Sequence, residues 1–451
     1  MPNSTWPLPF LRRMHGQLGE QYGTFLTALD QPSPVSIRFN PAKRAHHNLP
    51  LGAPISWCNE GFYLTQRPLF STDPLWHAGA YYVQEPSSMV LARVLADFFQ
   101  GPPKMVLDVA AAPGGKSTLI AAMLRPQDIL ICNEIHAGRF QILKQNMIRW
   151  GAPNVWLCRE DPKNFYAIRN LFDLILLDAP CSGEGMFRKE SEAVNQWSEG
   201  LIQQCAGRQQ KIIDQIWPAL QPEGLLLYST CTYAPYENEE NMHWLINSKP
   251  AEEKTWIFPA EWSIAKLHPG YQLWPHMVQG EGFYFCGIIK SSDRVGDQNR
   301  GVNTERGFNN WSDPIREFFP ERDDYLLLRN NQDVIYAIGR EYKSWWQHLQ
   351  KSITSLTPVL ELGQLKGSDF IPAPSLALST VLPLAVASVE VDLLQAQKFL
   401  ARQEIRLQGS PGWKVLKHGG LSLGWVKLLS NRVNNYYPKE WRIFNTRLLE
   451  S

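Results

Sequence analysis

Short apolar segments alternate with amphipathic segments from about residue 91 onward, and this alternation constrains the fold more than any other feature. The apolar segments have the length of buried strands, and the segments between them have the spacing of helices. Strands that alternate with helices form a mostly parallel, doubly wound sheet, which binds ligands at the carboxyl ends of its strands. The sequence therefore predicts an α/β region over residues 91–290. Its strand-like segments are MVLDVA, DILICNE, NVWLCRE, DLILLDAP and GLLLYSTC.

The rest of the chain has a different pattern on each side of this region. Residues 1–90 mix short helical and extended segments, which predicts a small α+β accessory domain. Residues 291–313 contain almost no apolar side chains and are typical of a linker. We expect the chain behind the linker, residues 314–375 and 376–451, to be separate from the α/β region. Glycines that indicate tight β-turns in the last segment are Gly409, Gly412, Gly419, Gly420 and Gly424.

Composition excludes several classes of protein. The seven cysteines are an odd number and include no CxxC pair, which favours a reduced intracellular protein over a disulfide scaffold or a metal site. The first residues lack the apolar core of a signal peptide, and the longest later apolar run, residues 381–389, is too short to span a bilayer. We therefore expect a cytoplasmic protein without membrane segments or bound metal.

The C-terminal segment is basic and rich in aromatic residues. Residues 401–451 carry nine Lys/Arg against three Asp/Glu, although the whole chain has a net charge of only +1. Cations interleaved with aromatic rings favour contact with phosphates and stacked bases. A small β domain with an aromatic core and a solvated basic face would show the same composition, so both interpretations stay open. The aromatic residues are Trp413, Trp425, Tyr436, Tyr437 and Trp441.

A loop of small residues follows the first strand of the α/β region. The sequence runs from Asp108 into AAAPGGKST, which places a helix N-terminus beside the end of the strand. A phosphate-binding P-loop needs glycine five positions before Gly115, where this chain has Ala110. The loop is better explained as a methyl-donor site, in which Gly114 and Gly115 allow the backbone to approach a methionine group and Lys116 opens the helix.

Four acidic residues end successive strands of the predicted sheet, beginning with Asp108. Glu134 is placed to bind ribose hydroxyls, and Asp161 is placed to accept the amino group of adenine. Asp178 ends the fourth strand, beside the expected reaction centre. A single acid at a strand end is more often a helix cap or a turn residue. Four in register favour a nucleoside site.

Two cysteines also follow strands, Cys181 in DAPCSG and Cys231 in STCTY. Both are expected at the ligand-binding edge. Cysteine is usually a small buried hydrophobic residue, and we assign the others to the core. These others are Cys58, Cys132, Cys158, Cys205 and Cys286.

Two thiols at such an edge suit methylation of a pyrimidine. Carbon 5 of cytosine is a poor nucleophile until a thiolate adds to carbon 6, and a second group must assist release of the product. The pattern does not decide whether Cys181 or Cys231 attacks. Asp178 is placed to hydrogen-bond the ring nitrogen and stabilise the charge that develops on addition. The base must first leave its stack, which costs on the order of a few kcal/mol.

These motifs resemble the family of RNA 5-methylcytosine methyltransferases of the NOL1/NOP2/Sun type, and within it the bacterial enzymes that modify 16S ribosomal RNA. The resemblance covers nearly the whole chain, and the PC and TC dipeptides at two strand ends are its most specific part. The matching segments are RFN at 38–40, YVQEPSSM at 82–89, DVAAAPGGKST at 108–118, DAPCSGEGMFRK at 178–189, STCTY at 229–233, WPHMVQGEGFYF at 274–285, LALSTVLP at 376–383, and LGWVK and NNYYPKEWR near the end.

The resemblance implies a Rossmann-like S-adenosylmethionine-dependent methyltransferase domain, an N-terminal accessory RNA-binding domain and a C-terminal PUA-like β-rich domain that binds RNA. It also implies that Cys231 is the nucleophile and that Cys181 assists release. The residues implied to bind S-adenosylmethionine are Ala110, Ala111, Ala112, Pro113, Gly114, Gly115, Lys116, Glu134, Asp161 and Asp178.

The expected partner is 16S ribosomal RNA or the small ribosomal subunit, bound by a monomer. Two alternatives remain at the level of sequence. A transfer RNA cytosine methyltransferase would share every catalytic residue and differ in how its accessory domains dock. A ribosome assembly factor without activity would keep the fold for RNA binding, although pure binding gives no physical reason for two thiols at strand ends.

Overall fold

The computed structural model describes residues 6–291, 308–309, 313–320 and 323–444. The predicted linker, residues 291–313, therefore lies outside the described residues except for residue 291, residues 308–309 and residue 313. Within the described part of the chain, no helix has the length and apolar character that crossing a membrane requires.

The N-terminal region is the predicted α+β unit. A pair of helices precedes a four-stranded antiparallel sheet of order β2-β3-β1-β4. The helix pair packs on the neighbouring α/β region, because Phe10 and Phe25 share a buried cluster with Phe187 and Tyr233. The elements are α1 Leu8–Leu18, α2 Tyr22–Leu29, β1 Ser36–Phe39, β2 Leu51–Ile55, β3 Cys58–Leu64, α3 Pro74–Ala78 and β4 Tyr81–Val83.

The α/β region has the predicted Rossmann-like arrangement. Its strands form a sheet of order β11-β12-β13-β9-β8-β5-β6-β7, and β10 pairs with β13. The elements are α4 Leu91–Val94, β5 Met105–Asp108, α5 Gly115–Ala121, β6 Ile129–Asn133, α6 Ala137–Trp150, β7 Val155–Cys158, β8 Phe172–Asp178, α7 Ser191–Gln196, α8 Glu199–Ile216, β9 Leu220–Thr230, α9 Glu239–Ser248, β10 Ala251–Lys254, β11 Ala265–Lys266, β12 Tyr271–Leu273 and β13 Phe283–Lys290.

The five central strands are parallel, and their register sets the position of the site. Asp108 pairs with Cys132 on β6 and with Leu176 on β8, and Asp178 pairs with Ser229 on β9. The strands β5, β6 and β7 are fully buried, as expected for a parallel sheet with both faces covered. The loops that leave the carboxyl ends of β5, β8 and β9 therefore lie side by side.

The remaining elements include two further sheets, of order β14-β15-β16-β18-β19 and β20-β21-β22-β23. These elements are β14 Phe308–Asn309, α10 Asp313–Arg316, β15 Tyr325–Arg329, β16 Val334–Gly339, α11 Lys343–Leu349, β17 Thr357–Pro358, β18 Glu361–Lys366, β19 Asp369–Pro372, α12 Pro374–Leu378, β20 Ser388–Glu390, α13 Leu393–Leu400, β21 Gly412–His418, β22 Leu421–Leu428 and β23 Val433–Asn435.

The expectation that residues 314–375 are separate from the α/β region is wrong. Strand β17 extends the central sheet by pairing antiparallel with β7, at Thr357↔Leu157. The indole of Trp156 contacts that of Trp346 edge-on, with ring centroids 5.0 Å apart. Burial of large apolar side chains on both partners holds the two regions together. The polar composition of residues 291–313 gave no indication of this contact.

The aromatic residues of the basic C-terminal segment divide between core and surface. Trp425 and Tyr437 are buried, as the interpretation of an aromatic core expects. Trp413 is half-buried and its ring contacts that of Tyr436 at an angle of 56°, with centroids 4.3 Å apart. Lys427 Nζ lies 5.3 Å from the centre of the Trp413 ring. The interpretation of an aromatic core is confirmed for Trp425 and Tyr437, and contact with nucleic acid stays a prediction.

A buried polar junction joins the three regions. His77 Nε2 contacts the Ser71 carbonyl at 2.8 Å, which leaves Nδ1 to accept from the Tyr437 hydroxyl at 2.8 Å. Arg149 on α6 also donates to His77 Nδ1, at 3.2 Å. The N-terminal sheet, the α/β region and the C-terminal sheet thus meet through three side chains.

Candidate active site

The two cysteines singled out from the sequence face each other. Cys181 follows β8 and Cys231 follows β9, and their Sγ atoms lie 3.3 Å apart. Both side chains are half-buried, whereas the other five cysteines are buried. The division into two edge thiols and five core thiols is therefore confirmed. Gly185 packs against the backbone of Cys231. A Cβ atom at position 185 would lie only 2.7 Å from the Cys231 carbonyl oxygen.

The two thiols are not equivalent. The hydrogen bond to Cys231, followed by burial, raises the pKa of Cys181 well above its usual value. The Cys181–Cys231 contact is a hydrogen bond in which either sulfur can be the donor.

Lys116 supplies a cation beside the thiols. Its Nζ lies 2.8 Å from Asp178 Oδ2 and 5.1 Å from the centre of the Phe283 ring. Burial by itself would lower the pKa of Lys116, but Asp178, Cys231 and Asp108 together raise it above its usual value. The side chain is therefore an ammonium ion. Ser229 also donates to Asp178 Oδ1 at 2.9 Å, which fixes the carboxylate between two donors.

A cavity of about 170 Å³ opens at the loop after β5. It contains most of the predicted donor-binding residues together with residues of the N-terminal region. Those that line it are Ala110, Ala111, Ala112, Pro113, Gly115, Lys116 and Asp178, with Tyr82, Val83, Gln84, Glu85, Ser88 and Asp108. Gly114 lies beside it as the residue before α5, with φ of 111°, a conformation that favours glycine.

Two of the predicted strand-end acids, Asp108 and Glu134, present buried oxygens without a hydrogen-bond partner among the described residues. Asp108 Oδ2 accepts from Ser117 at 2.7 Å, whereas Oδ1 has no donor. Burial raises the pKa of Asp108 to about 7. Glu134 Oε1 accepts from the His136 amide at 2.9 Å, and Oε2 has no donor, although Arg139 Nη1 lies 3.4 Å away. Unpartnered buried acceptors are uncommon and suit a ligand that brings hydroxyl or ammonium donors.

Asp161 is a helix-capping residue in the structure. It caps the short helical turn that follows β7, accepting from the Lys163 amide at 3.0 Å. Its side chain is 39% exposed and lies 3.5 Å from the ammonium of Lys163. Asp161 does not line the cavity at the β5 loop, and neither does Glu134. The sequence reasoning had weighed a cap as the common outcome for such a residue.

Sequence reasoning missed how the N-terminal region builds the cavity wall. Buried Arg38 donates to Gln84 Oε1 at 2.9 Å and to Thr118 Oγ1 at 2.7 Å on α5. The guanidinium carbon also lies 4.7 Å from the centre of the Trp150 ring. Arg38 therefore ties the lining residue Gln84 to the helix that begins at the loop. The segments RFN and YVQEPSSM carried the only signal of this contact.

Among the described residues, no group of three or more His, Cys, Asp or Glu side chains is placed to hold a metal ion. The site therefore consists of two thiols, an ion pair and a cavity with unpartnered carboxylate oxygens.

Comparison with known families gives three matches along the chain. Residues 6–86 match the N-terminal domain of 16S rRNA methyltransferase RsmF, and residues 100–289 match 16S rRNA methyltransferase RsmB/F. Residues 386–443 match the methyltransferase RsmF PUA domain. Together they cover the three regions described above.

Curated relatives match over nearly the full length. Ribosomal RNA small subunit methyltransferase F of Escherichia coli O9:H4 (strain HS) is 36% identical over 480 residues, which cover 96% of each chain. The protein of that name from Psychromonas ingrahamii is 30% identical over 471 residues, again 96% of each chain.

Solved structures share the fold of the α/β region. A methyltransferase homolog protein from Pyrococcus horikoshii is 26% identical with a TM-score of 0.55, covering 63% of this chain and 96% of that one. NSun6 from Pyrococcus horikoshii is 21% identical with a TM-score of 0.54, covering 64% of this chain and 99% of that one.

Proposed function

Because the chain belongs to the ribosomal RNA small subunit methyltransferase F family, we propose that it methylates carbon 5 of cytosine in 16S ribosomal RNA, using S-adenosylmethionine and a covalent adduct with Cys231. The pair of thiols with Sγ atoms 3.3 Å apart carries this proposal. Transfer of a methyl group to an oxygen or an amine needs no such pair. Activation of a pyrimidine carbon requires one thiol to add and a second group to assist release.

The residues around the cavity fit S-adenosylmethionine. The backbone of residues 110–115 would bind its methionine group, and the unpartnered oxygen of Asp108 would accept from its ammonium. Glu134 Oε2 would accept from the ribose hydroxyls, and Asp161 remains the proposed partner of the adenine amino group. The bound cofactor supplies the electrophilic methyl group.

Cys231 carries the attack. Its thiolate forms a bond to carbon 6 of the cytosine, and the electron pair of the ring double bond moves to carbon 5, which then takes up the methyl group. The Cys181 sulfur lies 3.3 Å from that of Cys231, and Lys116 supplies a cation on the same edge of the sheet. Asp178 lies on the same edge and would accept a hydrogen bond from the ring nitrogen once that nitrogen has taken a proton from solvent, while its partner Lys116 places positive charge near the site where negative charge develops.

Cys181 would act in release. The Cys231 sulfur is the largest cause of its raised pKa, and bonding of that sulfur to carbon 6 weakens the contact between the two thiols. Cys181 would then pass its proton to solvent, and the resulting thiolate would take the proton from carbon 5. The ring double bond re-forms as the bond between carbon 6 and Cys231 breaks.

The accessory regions would bind the RNA that surrounds the target. The C-terminal sheet presents Trp413 and Tyr436 at its surface beside Lys427, which suits a stacked base next to a phosphate. An enzyme with this substrate acts in the cytoplasm, where ribosomes are assembled. The proposed partner is the small subunit or its RNA, and the proposed enzyme is a monomer.

The test uses S-adenosylmethionine carrying a labelled methyl group and three substrates from cells that lack the protein. These are small ribosomal subunits, naked 16S RNA and bulk transfer RNA. We expect label in the small subunit or its RNA, recovered as 5-methylcytosine after digestion. Label in transfer RNA alone would keep the chemistry and overturn the substrate. Absence of label from all three would support a role in ribosome assembly without catalysis.

A further inference from the structure

Two buried side chains hold the backbone on both sides of Cys181. Gln209 Nε2 donates to the Pro180 carbonyl oxygen at 3.0 Å, on the N-terminal side of the cysteine. The Ser182 amide, on the C-terminal side, donates to the Glu237 carboxylate, with 3.0 Å to Oε2. Gln209 Nε2 also donates to Glu237 Oε2 at 2.9 Å. The two side chains therefore form one clamp around the cysteine, defined here as the Gln209–Glu237 clamp.

Further buried hydrogen bonds hold the Gln209–Glu237 clamp in place. Gln209 and Glu237 have no exposed surface. Asn241 Nδ2 donates to Gln209 Oε1 at 2.7 Å, so both amide hydrogens and the amide oxygen of Gln209 are used. The backbone oxygen of Glu237 accepts from the Tyr228 hydroxyl at 2.6 Å. These partners fix the orientation of the Gln209 amide, since rotating it would break three contacts at once, and the Tyr228 hydroxyl holds the backbone of Glu237.

The same network reaches the loop that carries Cys231. Ser182 Oγ lies 2.9 Å from Thr232 Oγ1, which joins the residues that follow the two cysteines. Asn238, next to Glu237 in the chain, donates to the Thr232 carbonyl oxygen at 3.0 Å and accepts from Thr230 Oγ1 at 2.6 Å. Both residues flanking Cys231 are thus held as well. The network sets the separation of the thiols through backbone contacts on each side.

A buried carboxyl group in this position lowers the free energy of unfolding. The donors to the Glu237 side chain are a backbone amide and a neutral side-chain amide, and burial raises its pKa to about 7. Buried polar groups of this kind cost stability unless all their partners are supplied, and an apolar core would serve packing alone. The network is therefore explained by a requirement to hold the backbone of the two cysteine loops in fixed positions.

We infer that Gln209 and Glu237 are positioning residues for the two-thiol reaction, which hold Cys181 at the distance from Cys231 that product release requires. This inference rests on the proposed function. It assigns the clamp to the release step, because Pro180 and Ser182 flank Cys181, whereas Cys231 is held separately through Asn238. Loosening the clamp should slow release more than binding or attack.

The test is Gln209→Met in the full-length protein. Methionine has nearly the same length and volume but donates no hydrogen bond, so Pro180 and Glu237 both lose a partner. The matched control is Gln204→Met on the exposed face of the same helix, α8. Each variant is assayed on the small-subunit substrate for kcat, for the KM of RNA and of S-adenosylmethionine, and for protein–RNA adduct that survives denaturant.

We expect Gln209→Met to lower kcat about tenfold, to change both KM values less than about twofold, and to accumulate adduct as Cys181→Ala does. Gln204→Met should match the wild type. A Gln209→Met protein with wild-type kcat and no adduct would overturn the inference. A second result would also overturn it. If kcat falls only in proportion to the amount of folded protein, and no extra adduct forms, the clamp supports the fold alone.

Asn241→Leu gives a second test if Gln209→Met does not fold. It keeps the branched shape of the side chain but removes the donor to Gln209 Oε1, which loosens the clamp while Gln209 and Glu237 stay in place. The expected change is a smaller rise in adduct, and no rise would contradict the inference. Failure of the proposed function would be seen separately. In that case the wild type would make no 5-methylcytosine and Cys181→Ala would form no adduct.

Discussion

The Sγ atoms of Cys181 and Cys231 lie 3.3 Å apart, although 50 positions separate the two residues in the chain. Adjacent parallel strands bring them together. Asp178 at the end of β8 pairs with Ser229 near the end of β9, so the residues that follow each strand emerge at one edge. The contact is therefore a direct product of strand order and register.

Cys231→Ala should abolish methyl transfer, lowering kcat more than about 1000-fold, because the proposed mechanism assigns the addition to carbon 6 to this thiol and the release step to Cys181. The measurement is incorporation of label from S-adenosylmethionine into the small subunit. Cys205→Ala is the matched control, since Cys205 is a buried core cysteine of α8. It should keep most of its activity. Turnover by Cys231→Ala at the level of this control would contradict the covalent mechanism.

Glu134→Gln should weaken binding of S-adenosylmethionine about 10- to 100-fold, because a charged acceptor for the ribose hydroxyls contributes about 1.5–3 kcal/mol. Oε2 of Glu134 is buried and accepts no hydrogen bond among the described residues, although the Arg139 guanidinium lies 3.4 Å away. Calorimetric titration with the cofactor measures the change. Glu240→Gln, an exposed carboxyl on α9, serves as control. Equal affinity in the two variants would remove Glu134 from the site.

Arg38→Met should lower the free energy of unfolding by about 2–4 kcal/mol, because it leaves buried acceptors on Gln84 and Thr118 without a donor. Arg44→Met is the control. Its ion pair with Glu60 is exposed, and loss of such a pair costs less than about 1 kcal/mol. Unfolding in urea measures both. Similar losses for the two arginines would show that Arg38 does not tie the N-terminal region to α5.

Lys43 should make the free energy of unfolding depend on pH above neutrality. Its Nζ donates to the carbonyl oxygens of Ala78 and Arg149, and burial lowers its pKa to about 7. Between about pH 7 and the ordinary lysine value, the unfolded chain holds a proton that the folded protein has lost. The contribution of Lys43 to the free energy of unfolding therefore rises with pH in this window, by at most about 1.4 kcal/mol per pH unit.

The rise should disappear in Lys43→Met and persist in Lys211→Met, which alters an exposed lysine of α8. The measurement is urea unfolding at several pH values from 7 to 10, with each variant compared with the wild type at each pH. A wild type and a Lys43→Met protein with parallel pH profiles would show that Lys43 stays charged when folded.

The sequence predicted the parts of the site that local patterns encode. Apolar runs located β5, β8 and β9, and residues that follow parallel strands must share an edge, so Asp178, Cys181 and Cys231 were placed together correctly. The loop after β5 was recognised from its small residues. Each of these inferences needed only strand type and strand end.

What the sequence could not show depends on contacts between distant segments. Strand β17 is two residues long and has no periodicity of its own, so its pairing with β7 was missed. Gln209 looks like any other glutamine of an amphipathic helix until the structure places it against Pro180. Glu237 lies in a polar string typical of a turn. Asp161 followed a strand as predicted, but its geometry is that of a helix cap.

Cys181→Ala tests the central claim most directly. The purified variant is mixed with small-subunit RNA and S-adenosylmethionine, denatured, and examined for a protein–RNA species of lower mobility. The account predicts that this species accumulates, that its bond maps to Cys231, and that it is absent when Cys231 is also changed to Ala. A Cys181→Ala protein that releases methylated RNA without any adduct, or an adduct through another residue, would contradict it.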